Sequence, residues 1–214
     1  MVVIDEFSGR LDEILAIADA LAPYPRLLGN YYPGLRQIFG AADEAANAYA
    51  DKLCEDAGQF IAGAFEVDSF TLIEASFSIV TVLPSTLSPA QRAPHFDSPD
   101  PKHLALLHYI RVPERSGTAF YRQRSTGIER VTEANLGGFV STAQREAALQ
   151  PVNSGYINGS NDYFELIGSV EAVPDRLVIY QGSLLHSGII PEGMSFSARP
   201  GEGRLTANLF VLAG

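Results

Sequence analysis

From about residue 68 onward the chain breaks into short apolar runs separated by turn signals, and this cadence limits the fold more than any other feature. The runs span residues 70–83, 103–112, 118–122, 164–173, 176–180, 184–190 and 204–212. They are rich in β-branched and aromatic residues and bounded by Gly, Pro, Asn and Ser, which marks them as strands. Gly117 is a hairpin signal between the second and third. A long Gly/Pro/Ser stretch, PEGMSFSARPGEG, separates the last two. Strands at such spacing, with few helical runs between them, exclude repeated βαβ units and predict a sandwich or jelly-roll barrel.

The N-terminal third reads differently. Residues 1–7 suggest a short strand. Leu11, Ile14, Leu15, Ala18 and Leu21 recur at helical spacing, with Ser8 as a plausible N-cap and Pro23 as a stop. Residues 24–36 are rich in Tyr, Pro and Gly and read as a structured loop. Residues 41–57 are Ala-rich and predict a second helix ended by Gly58. A third helix over 131–149, with Thr132 as a possible cap, is weakened by Gly137 and Gly138, and residues 150–161 read as turns. The expected architecture is mainly β with flanking helices, a single domain over 1–214. Residues 1–66 would form a helical flank and 67–214 the β core.

Composition narrows the function classes. With 15 basic against 25 acidic residues the net charge is −10, which argues against nucleic acid or an anionic membrane as partner. The lone cysteine, Cys54, rules out an intrachain disulfide or a Cys-rich zinc site. No apolar run approaches the roughly 18 residues of a membrane span, and no signal peptide is legible. A cytoplasmic location is the expectation.

Four histidines are present: His95, His103, His108 and His186. His95-Phe96-Asp97 places an imidazole and a carboxylate two residues apart, on one face of an extended segment. His186 lies after a strand and a Gly turn at Gly182. Two imidazoles and one carboxylate make a facial triad with open coordination positions, suited to non-haem Fe(II), whereas a structural zinc site is closed by four ligands. Eighteen residues past His186, Arg204 opens an apolar strand with Thr206 on the same face. An inward arginine there is costly unless paired, and a carboxylate matches its planar fork.

His95-Phe96-Asp97, the distal His186 and Arg204-Leu205-Thr206 resemble the signature of the 2-oxoglutarate/Fe(II)-dependent dioxygenases. LLHYIRVPERSGTAFY resembles the strand and hairpin after H-x-D in the prolyl-4-hydroxylase-like branch, and RLVIYQGSLLHSG is similar to the family's approach to its distal histidine. The resemblance covers about residues 90–212, and the opening VVIDEFSGRLDEILAIA more loosely. It implies a double-stranded β-helix (jelly roll, cupin-like) in which His95, Asp97 and His186 hold Fe(II). Arg204 and Thr206 would hold the distal carboxylate of 2-oxoglutarate, and Tyr109 would lend it a hydroxyl. The implied activity is O₂-dependent hydroxylation of an amino acid, a peptidyl side chain or a small metabolite. The separation of His186 from Arg204 is long for the family and implies an inserted loop. Thr206 replaces the usual serine, and Ser116-Gly117 the usual Gly-Gly.

Alternatives remain at several positions. Asp100 could replace Asp97, and Arg199 could replace Arg204, although a strand fixes an inward side chain better than a Gly/Pro loop. His103 and His108, five apart on one run, point to opposite faces and read as structural or supporting. Tyr24, Tyr31 and Tyr32 read as packing and Cys54 as inert. Residues 24–36 and 153–161 are candidate lids. The rival reading is a cupin-like metal-binding or small-molecule-sensing module without turnover.

Overall fold

A six-stranded antiparallel sheet forms the backbone of the molecule, in the order β1-β7-β4-β9-β3-β2. A three-stranded sheet, β6-β5-β8, faces it. The strands are β1 (Val2–Ile4), β2 (Gly34–Ile38), β3 (Phe70–Val80), β4 (His103–Arg111), β5 (Gly117–Gln123), β6 (Phe164–Glu171), β7 (Leu177–Gln181), β8 (His186–Ile189) and β9 (Leu205–Ala213). Three α-helices accompany them among the described residues: α1 (Leu11–Ala20), α2 (Glu44–Phe65) and α3 (Leu136–Leu149). The computed structural model describes residues 1–26, 32–149 and 155–214. A further bridge between His95 and His186 extends the smaller sheet beyond β8. From β6 to β9 consecutive strands alternate between the two sheets, as in a double-stranded β-helix.

Strand alternation divides the large sheet into two faces. On β9, Leu205, Ala207, Leu209 and Val211 point outward and join Phe77, Ile79, Leu104, Leu106, Leu177 and Ile179 in the main core. Helices α1 and α2 cover this face through Ile14, Ala18, Leu53 and Ile61. Each such fully buried Leu or Ile contributes about 1.5–3 kcal/mol relative to exposure. Arg204, just ahead of β9, and the inward residues of the strand, Thr206, Asn208 and Phe210, line a cavity between the sheets instead. One end of that interior is closed by Leu107, Tyr109, Phe120, Val170 and Val178. Helix α3 covers the outer face of the small sheet with Phe139, against Tyr121, Phe164 and Leu185.

Several local expectations need correction. Helix α2 does not stop at Gly58 but runs to Phe65 and ends at Glu66 in the left-handed conformation (φ 55°). Its apolar stripe continues through Ile61, so tertiary burial overrides the helix-weakening glycine. The first helix takes Arg10, not Ser8, as its N-cap. Ser8 is drawn away because its hydroxyl donates to Asp175 at 2.5 Å. The stretch 24–36 is not wholly a loop: Gly34, Leu35 and Arg36 open β2, which pairs with β3 in unbroken register. That pairing is non-local, and local propensity does not announce it. The third helix begins at Leu136 and contains both glycines. Residues 27–31, Tyr31 among them, and 150–154 lie outside the described residues.

Candidate metal centre

The two halves of the His-x-Asp…His pattern meet because the chain pairs with itself at these residues. His95 and His186 exchange both backbone hydrogen bonds, at 2.9 and 2.8 Å, which sets their rings side by side with centroids 4.3 Å apart. The Asp97 amide donates to the Gly182 carbonyl at 2.7 Å, bringing the carboxylate back over the turn. Gly182 is required there, because a Cβ would fall 2.5 Å from His103 Nδ1 and 3.2 Å from the Asp97 Cβ. Asp97 Oδ1 lies 3.9 Å from His95 Nε2 and Oδ2 lies 3.7 Å from His186 Nε2. The candidate ligand atoms of all three residues fall within 4.8 Å of one another.

The electrostatics suit a cation. His186 Nδ1 lies 2.9 Å from the Leu184 carbonyl, a contact that requires Nδ1–H as donor and leaves the Nε2 lone pair toward Asp97. Surrounding protein pushes the His95 pKa down to about 4; the neighbouring His186 and Arg36 act in the same direction, against Asp97. The ring is nonetheless 54% exposed, because its free face lines the cavity. At neutral pH it therefore offers a lone pair. Asp97 Oδ2 is buried without a hydrogen-bond partner, an arrangement that is expensive unless a ligand completes it. A divalent ion with two imidazoles and a carboxylate fits this donor set.

The cavity beside the triad has a volume of about 500 Å³, in the range of small-molecule sites. Arg204 and Thr206 line it, and both are at least 95% buried. Arg204 donates from Nη2 to the Gly117 carbonyl at 3.3 Å and stands over the Tyr109 ring. Its Nε is buried without a partner, and among the described residues no carboxylate pairs with it. A ligand carboxylate would pair with this charge. Arg199 is elsewhere: its side chain is 80% exposed and paired with Glu202 in the loop before β9. Asp100 turns away to cap the Lys102 amide. Tyr109 is not among the cavity-lining residues. Opposite Thr206 in the sheet register, it is buried beneath Arg204, and its hydroxyl is bonded to Thr118 at 2.7 Å; Thr118 reaches the cavity in its place.

Sequence reasoning missed Arg36, Glu74 and Tyr180, which also line the cavity. Tyr180 packs its ring 4.9 Å from that of His186. The signal lay in alternation: Ser76 and Ser78 interrupt the apolar run around Phe77 and Ile79, as Arg204, Thr206 and Asn208 interrupt that of β9. Both candidate lids reach the cavity, through Tyr32 and Pro33 from one and Tyr156 from the other.

The double-stranded β-helix that carries this cluster and cavity is a fold the chain shares with 2-oxoglutarate-dependent enzymes of known structure. The chain itself belongs to a family of unknown function, DUF6445, whose model matches residues 1–211. Among solved structures it is similar to the α-ketoglutarate-dependent epimerase SnoN from nogalamycin biosynthesis. That match has a TM-score of 0.55 and 16% identity, over 99% of this chain and 78% of that one. It is also similar to HygX from Streptomyces hygroscopicus with nickel and 2-oxoglutarate bound, with TM-score 0.51 and 14% identity over 99% and 82%. A third is the collagen prolyl hydroxylase of Paramecium bursaria Chlorella virus-1 in its 2-oxoglutarate complex, with TM-score 0.50 and 11% identity over 100% and 95%. At these identities the likeness is one of fold. No curated protein sequence matches the chain significantly. No helix among the described residues is long and apolar enough to cross a membrane.

Proposed function

We propose that the chain is an Fe(II)- and 2-oxoglutarate-dependent oxygenase acting on a small-molecule or peptide substrate, with hydroxylation as its reaction. The observation that carries this reading is a pair of buried, unpartnered polar atoms in one cavity, Asp97 Oδ2 and Arg204 Nε. One asks for a cation and the other for an anion. His95, Asp97 and His186 would hold the metal. Bound iron supplies the redox chemistry that couples decarboxylation of 2-oxoglutarate to oxidation of a substrate C–H bond.

The chain's own residues supply position and exclusion. Arg204 and Thr206 would grip the distal carboxylate of 2-oxoglutarate, so that its keto-acid end turns toward the triad. Tyr109 supports this grip from below, through its ring against Arg204 and its hydroxyl on Thr118. The Leu184 carbonyl holds the His186 ring in one orientation. Leu107, Phe120 and Val178 pack the closed end of the barrel and would exclude water from it.

The test is succinate formation from 2-oxoglutarate by purified protein, with and without Fe(II) and O₂. Slow substrate-free turnover requiring both is the expected result. Metal and 2-oxoglutarate binding with no succinate under any substrate screened would mark a sensing module instead.

A further inference from the structure

Two arginines line the cavity, and they are partnered in opposite ways. Arg204 has no carboxylate against it among the described residues. Arg36, on β2, donates from Nη2 to Glu74 Oε1 at 2.8 Å and to Ser76 Oγ at 2.9 Å. The Arg36 and Glu74 side chains are 16% and 33% exposed, and both face the cavity. Among the described residues Arg36 is engaged through Nη2 alone, so its Nε and Nη1 donors and the second Glu74 oxygen are left for a ligand.

This pair is joined to the metal triad by a continuous wall. Asp97 and His103 meet across Gly182. The His103 ring lies 5.1 Å from that of Phe210, and the Arg36 guanidinium stands 6.0 Å from the Phe210 ring. A ligand anchored on Arg36 and Glu74 would therefore run along Phe210 and His103 toward the metal, from a different side than one anchored on Arg204.

We infer that Arg36 and Glu74 form the recognition subsite for a free, zwitterionic amino acid, with its side chain directed along Phe210 toward the triad. The inference rests on the oxygenase reading and narrows its substrate class. A half-buried ion pair in a ligand cavity roughly balances its own desolvation, so its worth lies in what it selects. A lone arginine suits an anion. An arginine beside a glutamate offers both signs at close range, which matches a carboxylate and an ammonium on one carbon and disfavours a plain dianion through Glu74. A peptide-bond nitrogen carries no charge for Glu74 to accept, so a residue within a chain loses half of the recognition.

The experiment is calorimetric titration of the protein loaded with Ni(II) and 2-oxoglutarate. The probes are the twenty proteinogenic L-amino acids, one at a time, and the N-acetyl amide of each. At least one free amino acid should bind, and its capped form at least tenfold more weakly. Arg36→Gln and Glu74→Gln should each weaken the free amino acid tenfold or more while leaving Ni(II) and 2-oxoglutarate affinities unchanged. Arg36→Lys should fall between wild type and Arg36→Gln. If Arg36→Gln does not fold, Glu74→Gln carries the same comparison. The subsite is overturned if no free amino acid binds, if the capped forms bind equally well, or if Glu74→Gln binds like wild type. Failure of Ni(II) or 2-oxoglutarate to bind in the first place would overturn the oxygenase reading instead, and the two failures are read from separate titrations.

Discussion

His103 and His108 lie five residues apart on β4 and face opposite sides of the same sheet, and the chemistry of the two sides differs in one respect. On the helix-covered side every link is made. The Tyr49 hydroxyl meets His108 Nδ1 at 2.7 Å, and His108 Nε2 meets Asp175 at 2.9 Å. Asp175 also accepts from the Ser8 hydroxyl and from the Ser8 and Gly9 amides. On the cavity side, His103 Nδ1, Asp97 Oδ2 and Arg204 Nε are all buried with no hydrogen-bond partner among the described residues. Similar residue types thus serve two ends. A closed polar chain ties the N-terminal segment to the barrel, while open polar atoms mark where ligands belong.

The largest effect that sharpens this contrast is expected at His186. His186→Ala should weaken Fe(II) or Ni(II) binding by more than about 100-fold, since even outer partners of a metal ligand are worth roughly 10–100-fold. The melting temperature without metal should move by less than about 2 °C. Unchanged metal affinity would remove the triad. Arg204→Met comes next. It should weaken 2-oxoglutarate by about 2–4 kcal/mol, the cost of losing a buried charge-assisted pair, with metal affinity intact in the same titration.

The helix-covered side should respond in the reverse manner. His108→Leu keeps most of the volume but strips a partner from both Tyr49 and Asp175. The expected loss is about 2–4 kcal/mol of stability, or roughly 5–15 °C in Tm, with less than a twofold change in metal affinity of the folded protein. Acid should act through the same chain. Burial pushes the His108 imidazole below the ordinary histidine range, against the pull of Asp175. Burial works against the Asp175 charge, but the hydrogen bonds from Ser8, Gly9 and His108 outweigh it and hold that carboxyl below its usual value. Both folded-state values are lowered, so both groups contribute stability above their unfolded pKa values, about 6.5 and 3.9. That contribution is lost as pH falls below them. His95 acts in the same sense. Melting curves from pH 7.5 to 5 should therefore fall more steeply for wild type than for His108→Leu. Parallel curves would mean that His108 titrates alike in both states.

What the sequence revealed of these two faces follows from what is local. Alternation along residues 204–209 separates Arg204, Thr206 and Asn208 from Leu205, Ala207 and Leu209, and it can be read without a structure. The His95-Phe96-Asp97 spacing is local too, so the two could be set on one side. The partner of each face was not legible. Asp175 reads as an ordinary turn residue until the fold brings Ser8 to it across 167 positions. Arg36 falls in a stretch whose composition reads as a loop, because β2 exists only through its pairing with β3. Tyr109 alternates onto the cavity side as expected, yet Arg204 covers it, and such layering depends on side-chain volumes that a period-two pattern does not carry.

The smallest effect is expected at Arg199, and it tests whether charge or position decides the anion site. Arg199 lies 13 residues past His186, Arg204 18, and both precede the same strand. Arg199 falls in the loop, with an 80% exposed side chain whose Nη1 reaches Glu202 at 3.0 Å, two flexible groups screened by water. Exposed pairs of this kind add little. Arg204 is 5% exposed and held against the Gly117 carbonyl and the Tyr109 ring. Arg199→Met removes the same unit charge as Arg204→Met from the same stretch of chain. A long-range field effect on the 2-oxoglutarate anion would therefore appear in both variants, and a contact effect in one. Titration of 2-oxoglutarate into Arg199→Met should change its affinity by less than about fivefold, and added salt should erase even that difference. A loss equal to that of Arg204→Met would move the carboxylate clamp to the loop and leave the orphaned Nε of Arg204 in need of another ligand.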